Sequence, residues 1–433
     1  MKIYCTRDMP RLRYIAEIIL GEILGLAWDV TSDKRKLGKC PVINYSEENI
    51  TGSLKIKPVS LLFETGVRNH EILVSRWKGF PVFFTSQDEP DLPFDIFAAS
   101  FYLVTRYEEY IEFEPDTYGR FKASSSIAYK NGFLEIPVID LWCREFSKVL
   151  LKKFQTLTFK RNEFRALLTI DTDQPFESPG KSLLDSIGGL LMNFKNKTGT
   201  IGEHHRSIAR SERDPWEVFD YIFKNIEMNG SDARFFFPVG DHSRYDKNPS
   251  WKNDKYRSLI NRIAVKYKTG LHSSFNAAIN YSMICNELSR LKTILSGEVV
   301  SNRFHYIRLL FPDSFRDIIK AGITDEYSMG YPDEAGFRAG IARPFYFYDI
   351  LEDHPTGLRI YPFQVMDSAL FQDKKTDSAQ SMDLIQRLIS ETRKAGGLFV
   401  SIWHNSLLAE SDAMPGRREV FEFMLKNQGP PVV

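Results

Sequence analysis

The pattern of apolar and polar positions changes character near residue 160. Before it, short apolar runs alternate with turns, and only a few stretches hold helical spacing. Residues 94–110 carry apolar side chains at helical intervals and end on the charged set Arg106, Glu108 and Glu109, which predicts a helix. Residues 14–28 read as an amphipathic helix with Glu17 and Glu22 inside an otherwise apolar run, and a third helix is expected from Pro137 to about residue 154. The charged stretch 160–163 marks the boundary, giving an N-terminal α+β domain over 1–160 and a second domain over 161–433. From there strand and helix patterns alternate. Strands are expected over 166–171, 233–239, 269–273, 303–309, 323–326, 358–365 and 398–403, and helices over 216–228, 255–266, 277–295, 314–321 and 377–395. Such alternation argues for βα units around a parallel sheet, and this many units point to a barrel more than to an open sheet. Residues 177–214 are polar and without period, which suggests a lid.

Length and composition narrow the class. A chain of 433 residues exceeds one ordinary core. Apolar residues at 43% and aromatic residues at 13% are those of a packed globular protein. The 57 basic and 56 acidic residues nearly cancel, so nothing recommends a nucleic-acid partner. Cys5, Cys40, Cys143 and Cys285 fit neither zinc-ribbon spacing nor a disulfide framework, and are expected to be reduced and buried. No N-terminal apolar leader and no bilayer-length apolar run are present, so the expectation is a cytoplasmic protein without an integral membrane segment.

The polar residues at expected strand ends carry the chemistry. Strand side chains alternate, so Asp171 and Asp173 emerge on one face where the strand through 166–171 stops. A paired set of carboxylates there is metal-bound, hydrogen-bonded or catalytic, with a helix cap as the plain alternative. Of the eight histidines, His242, His272, His305 and His404 fall on or beside expected strands. Aspartate with histidine is a ligand set suited to zinc or a similar divalent ion, and a metal-activated water beside a carboxylate and an imidazole is a hydrolytic centre.

The spaced motifs of residues 165–410 resemble the polysaccharide deacetylase (NodB-homology) superfamily. Thr169-Ile170-Asp171-Thr172-Asp173 matches its opening motif. His272-Ser273-Ser274-Phe275-Asn276 matches its paired-histidine motif with asparagine in the second place. Arg338 within Gly336-Phe337-Arg338-Ala339-Gly340 matches its arginine motif, and Phe399 to His404 its last one. The whole chain is similar to a bacterial subgroup of deacetylase-like proteins, with Thr105 to Tyr110 and the Asp116-x-x-Gly119-Arg120 turn ahead of the barrel. The resemblance implies a distorted (β/α) barrel that removes N- or O-linked acetyl groups from sugars with a divalent metal, zinc above all. By family role Asp171 is the general base, Arg338 orients it, and His404 is the acid. Asp173 and His272 hold the metal, with His305 as the third ligand in place of the missing histidine, or Asn276 instead. Trp403, Arg303, Asn405 and His242 are candidates for contact with an acetylated carbohydrate. The competing expectation is a carbohydrate-binding scaffold that kept the barrel and lost catalysis.

Overall fold

In the computed structural model, which describes residues 1–86, 90–174, 217–371, 377–409 and 416–429, the change of pattern becomes a change of sheet. The first region forms a parallel four-stranded sheet of β1 (Lys2–Tyr4), β2 (Asp29–Thr31), β3 (Val42–Asn44) and β4 (Leu54–Lys55), in the order β2-β1-β3-β4. A hairpin of β5 (Ser75–Trp77) and β6 (Phe80–Val82) follows. Helix α1 (Pro10–Ala16) runs on into a wider π turn over Glu17–Ile23, so the helix expected at 14–28 begins and ends earlier. Helix α2 (Ile96–Val104) starts where the Asp95 carboxylate accepts the Ala98 N–H, and all of its residues are buried. Helix α3 (Val138–Lys153) lies where the third helix was expected. Cys5 and Cys143 are buried free thiols, whereas Cys40 and Cys285 are partly exposed, against the expectation that all four are buried.

The second region forms a nine-stranded sheet. Its strands are β7 (Arg165–Asp171), β8 (Ala233–Phe237), β9 (Lys268–Ser273), β10 (Ser301–Phe304), β11 (Asp325–Glu326), β12 (Phe345–Asp349), β13 (His354–Ile360), β14 (Val365–Met366) and β15 (Leu398–His404). The order is β12-β13-β11-β10-β9-β8-β7-β15-β14, parallel throughout except for the β12/β13 hairpin. Helices α4 (Glu217–Met228), α5 (Asp254–Lys266), α6 (Tyr281–Leu295), α7 (Asp313–Lys320) and α8 (Ser378–Ala395) separate strands, and α9 (Arg417–Gln428) follows β15. The strand expected over 303–309 stops at Phe304, because Tyr306 and Ile307 take left-handed backbone conformations at φ 60° and 54°. The strand expected over 358–365 splits between β13 and β14. Strand β12 and helix α9 were not foreseen. The lid candidate at 177–214, with His204 and His205, lies outside the described residues.

The sheet curls. In a flat sheet β8 and β11 would stand roughly 14 Å apart, three strand spacings. Yet Arg234 of β8 reaches Asp325 of β11 at 3.6 Å, and the Phe236 ring centre lies 5.2 Å from that of Tyr327. A small apolar cluster that includes Leu167, Phe236, Tyr327, Val400 and Ile402 fills the inside of the curl. The strand order keeps two ends, β12 and β14, with no ladder between them among the described residues. A larger core runs without interruption from Ile3 through α2 to Leu425, so both regions share it.

The segment from Gly336 to Gly340 lies on that shared boundary. A Cβ on Gly336 would sit 2.5 Å from the Leu134 carbonyl oxygen, to which the Phe337 N–H donates at 2.8 Å. Its φ of 146° and this close approach explain the glycine by packing of the two regions. No described helix is long and apolar enough to cross a membrane.

Candidate active site

Parallel strands bring their carboxyl ends to one edge, and the candidate residues assemble there. Strand β7 ends on Asp171, and its neighbour β15 ends on His404, directly paired with Asp171 in register. On the other side of β7, beyond β8, β9 carries His272, which pairs in register with Arg303 of β10. His305 follows β10 directly. Asp171, His272 and Arg303 are almost wholly buried, whereas Asp173, His305 and His404 are partly open.

Asp173 is the hub. Its Oδ1 lies 3.2 Å from His272 Nε2, and its Oδ2 lies 3.3 Å from His305 Nε2 and 3.7 Å from His404 Nε2. Burial alone would raise this carboxyl, yet the imidazoles of His305 and His272 hold it well below the usual carboxylate range. Each histidine is turned by a partner on its other nitrogen. His272 Nδ1 faces the Arg303 carbonyl oxygen at 3.0 Å, His305 Nδ1 the Asp246 carboxylate at 2.8 Å, and His404 Nδ1 the Asp367 carboxylate at 2.8 Å. A carbonyl or carboxylate accepts only, so each Nδ1 carries its proton and each Nε2 turns toward Asp173. Burial opposes charge on His305, but Asp173 and Asp246 push it up to about 10. The same opposition holds at His404, where Asp367 and then Asp173 push it up to about 9.

The donor set passes a test for a metal. Asp173 Oδ1 and His272 Nε2 face each other without meeting hydrogen-bond geometry, and both are buried without a partner. Two buried polar atoms left orphaned at one point carry a penalty that a cation between them would remove. Ligand atoms of Asp173, His272 and His305 all lie within 4.8 Å of one another, and one carboxylate with two imidazoles suits a zinc-type ion with an open position. Asn276 is exposed on the turn Phe275–Ile279, and the cluster forms without it.

Three expected roles need correction. Arg338 does not meet Asp171: its guanidinium donates to both oxygens of Glu109 at 2.9 and 2.6 Å and to the Gly330 carbonyl at 2.8 Å. The arginine on Asp171 is Arg303. It donates through Nη1 to Asp171 Oδ1 at 2.7 Å, through Nη2 to Thr169 Oγ1 at 2.8 Å and through Nε to the Tyr327 carbonyl at 3.2 Å, and it lies over the Phe236 ring. With no exposed surface, Arg303 has no face for a sugar. Trp403 is likewise buried, packed on Phe421 with its indole N–H toward the Met424 sulfur, which makes it core. His242 is exposed on the loop after β8 next to Asp241. Asn405 does border the site. Its Nδ2 donates to the Gln174 carbonyl at 2.9 Å, and its Oδ1 is buried without a partner. Glu109, at the charged end of the helix expected over 94–110, where a solvated or an inter-domain charged face was expected, is buried between Arg338 and Arg106.

Asp246 and Asp367 were missed. Asp367 follows β14 directly, so the rule that carboxyl ends carry chemistry could have found it. Asp246 sits in an aperiodic loop where no spacing distinguishes it.

A family model described as a family of unknown function (DUF7033) matches residues 1–155. A search of curated proteins finds no match. Among solved structures, one designated a polysaccharide deacetylase from Mycobacterium smegmatis is similar at 13% identity, covering 63% of this chain and 86% of that one with a TM-score of 0.41. Another of that designation, from Pseudomonas aeruginosa PAO1, is similar at 9% identity over 61% and 84%, also at 0.41. The Xyl-CE4 domain of a multidomain xylanase from the hindgut metagenome of Trinervitermes trinervoides is similar at 12% identity over 62% and 85%, at 0.28. Backbones that superpose this loosely transfer no role to any residue.

Proposed function

We propose that this chain is a metal-dependent hydrolase that removes an acetyl group, N- or O-linked, from a sugar or polysaccharide precursor. In this reading residues 161–433 form a distorted (β/α) barrel, and residues 1–160 serve as an accessory α+β domain. The observation that carries it is the pair of orphaned buried atoms, Asp173 Oδ1 and His272 Nε2, set beside a carboxylate that an arginine clamps. A zinc-type ion held by Asp173, His272 and His305 would supply Lewis acidity toward an acyl carbonyl and toward water.

The remaining work belongs to side chains. Arg303 engages Asp171 Oδ1 and leaves Oδ2, which lies 3.6 Å from His272 Nε2, to accept the proton of the attacking water. His404, kept charged by Asp367 and Asp173, carries the proton that the departing amine or alkoxide needs. Asn405 and His242 are the remaining candidates for substrate contact. The motif resemblance of Asp171, Asp173, His272 and His404 supports the same assignments.

Purified protein incubated with zinc or cobalt is expected to take up stoichiometric metal and to release acetate from acetylated saccharides or an aryl acetate. The replacement of the family's second histidine by exposed Asn276 favours one rival, a carbohydrate-binding scaffold without catalysis. Failure of both metal uptake and acetate release would select that rival.

A further inference from the structure

The hydrolase reading leaves unexplained the turn Asp116-x-x-Gly119-Arg120, which lies far from β10 in sequence yet ends against it in space. The turn is closed on itself. Asp116 Oδ1 accepts the Tyr118 and Arg120 N–H groups at 2.8 and 2.9 Å, and Asp116 Oδ2 accepts from Arg120 Nε at 2.6 Å. Gly119 supplies the positive φ, 80°, that lets the chain reverse there. Held this way, Arg120 lies over the Tyr118 ring and donates through Nη1 to the Tyr306 carbonyl at 2.7 Å. Arg120 as a whole is buried, 8% exposed, so this contact is largely shielded from water.

The residue it grips is unusual. Tyr306 and Ile307 are consecutive left-handed residues, a conformation disfavoured by Cβ and worst for a β-branched side chain. Such a turn persists only where its surroundings over-determine it. Here the fixings come from both sides: Arg120 on the Tyr306 carbonyl, and Arg308, which donates to the carbonyls of Tyr118 at 3.2 Å and Phe275 at 3.1 Å. The Tyr118 and Tyr306 rings also pack at 5.0 Å. His305 immediately precedes the turn, so the path of the backbone through Tyr306 sets the position from which its ring, held at Nδ1 by Asp246, faces Asp173.

We propose that Arg120 is a positioning residue: by clamping the Tyr306 carbonyl it holds the left-handed turn that aims His305 Nε2 at Asp173. The N-terminal region thereby completes the site without lending an atom to it. The metal arm of the test rests on the hydrolase reading, and the structural arm does not.

The test is a double-mutant cycle of Arg120→Ala with His305→Ala, read as zinc or cobalt affinity by chelator competition, with thermal melts to show that each variant folds. Arg120→Ala is expected to weaken metal binding about 10–100-fold, the usual range for a lost outer-shell partner. It should add nothing in the His305→Ala background, because it acts through that ring. Should Arg120→Ala not fold, Arg120→Lys, which keeps the charge and loses the fork, is expected to shift affinity the same way by less. A crystal structure of the folded variant should show His305 Nε2 withdrawn from Asp173. His305 unmoved in that structure, or an equal loss of affinity in both backgrounds, overturns the proposal. If wild-type protein takes up no metal, the hydrolase reading fails while the position of His305 in the variant still decides this inference.

Discussion

Two of the buried polar clusters among the described residues, one around Glu109 and one around Asp171, are each organised around an arginine on a carboxylate. Around Glu109 every strong group is matched: Arg338 covers both carboxylate oxygens, Arg106 adds a third donor at 2.7 Å, and Arg106 also reaches Glu108 and the Tyr331 hydroxyl. Around Asp171 and Asp173 the matching is incomplete. Arg303 satisfies one oxygen of Asp171, but Asp173 Oδ1 and His272 Nε2 are left bare. The first cluster joins two regions of the chain and has nothing left to offer a ligand. The second retains unspent acceptors at an edge of the sheet, as a binding centre requires. Burial and charge alone do not separate them, but completeness of hydrogen bonding does.

That contrast can be broken by substitution. Asp171→Asn is expected to lower kcat for acetate release by about 10³-fold or more while bound metal stays unchanged, since the base is lost and the ligands are not. Full activity in that variant would remove Asp171 from the mechanism. Arg338→Met should behave oppositely, losing about 3–5 kcal/mol of stability in denaturant titrations because Glu109 is left buried without its main partner. Its kcat per folded molecule should be unchanged, and a large drop would return Arg338 to the site.

Glu326 tests an intermediate case, a buried carboxyl held by the Ser328 N–H and hydroxyl, with the Arg303 charge acting on it from beyond direct ion-pair contact. Burial outweighs those bonds and pushes it up to about 7 from 4.5. The native state therefore keeps a proton that the unfolded chain gives up. The stabilisation is complete below about pH 4.5 and is lost as pH rises through about 7. Glu326→Gln should flatten this slope by about 2 kcal/mol between pH 5 and 7, measured as the difference from wild type. Identical slopes would show that the carboxyl is ionised in the fold. Smallest in expected effect is Arg303→Lys, which keeps the charge but loses the fork on Asp171 and Thr169. A roughly tenfold drop in kcat, about 1.4 kcal/mol, is expected with little change in melting temperature. An unaltered kcat would make Arg303 a packing residue.

Much of the second region was legible because period and strand-end chemistry are local. The ends of β7, β9 and β15 fell within a residue or two of their expected positions, and Asp171, His272 and His404 meet as the motifs implied. The choice between Arg303 and Arg338 was not legible. It depends on how far the sheet curls, which brings β10 across to β7, and on Leu134 occupying the space over Gly336. Both are tertiary facts with no sequence period. Trp403 misled for a related reason: strand alternation gives a side chain's face, but α9, which covers that face, went unrecognised. Strand β10 was extended too far because Tyr306 and Ile307 favour strands by propensity, and tertiary contacts, among them Arg120 on the Tyr306 carbonyl, hold them in a turn instead.

The in-register pairing of Asp171 with His404 has a consequence for how such a site can change over time. Two residues facing each other across one ladder have a separation set by the spacing between strands, so loop insertions and deletions leave it alone. His305 has no such anchor in the ladder, since it follows β10 on a turn that Arg120 braces from another part of the chain. A centre built this way has a rigid half and an exchangeable half. A change on the turn that carries His305 leaves the separation of Asp171 and His404 as the ladder sets it.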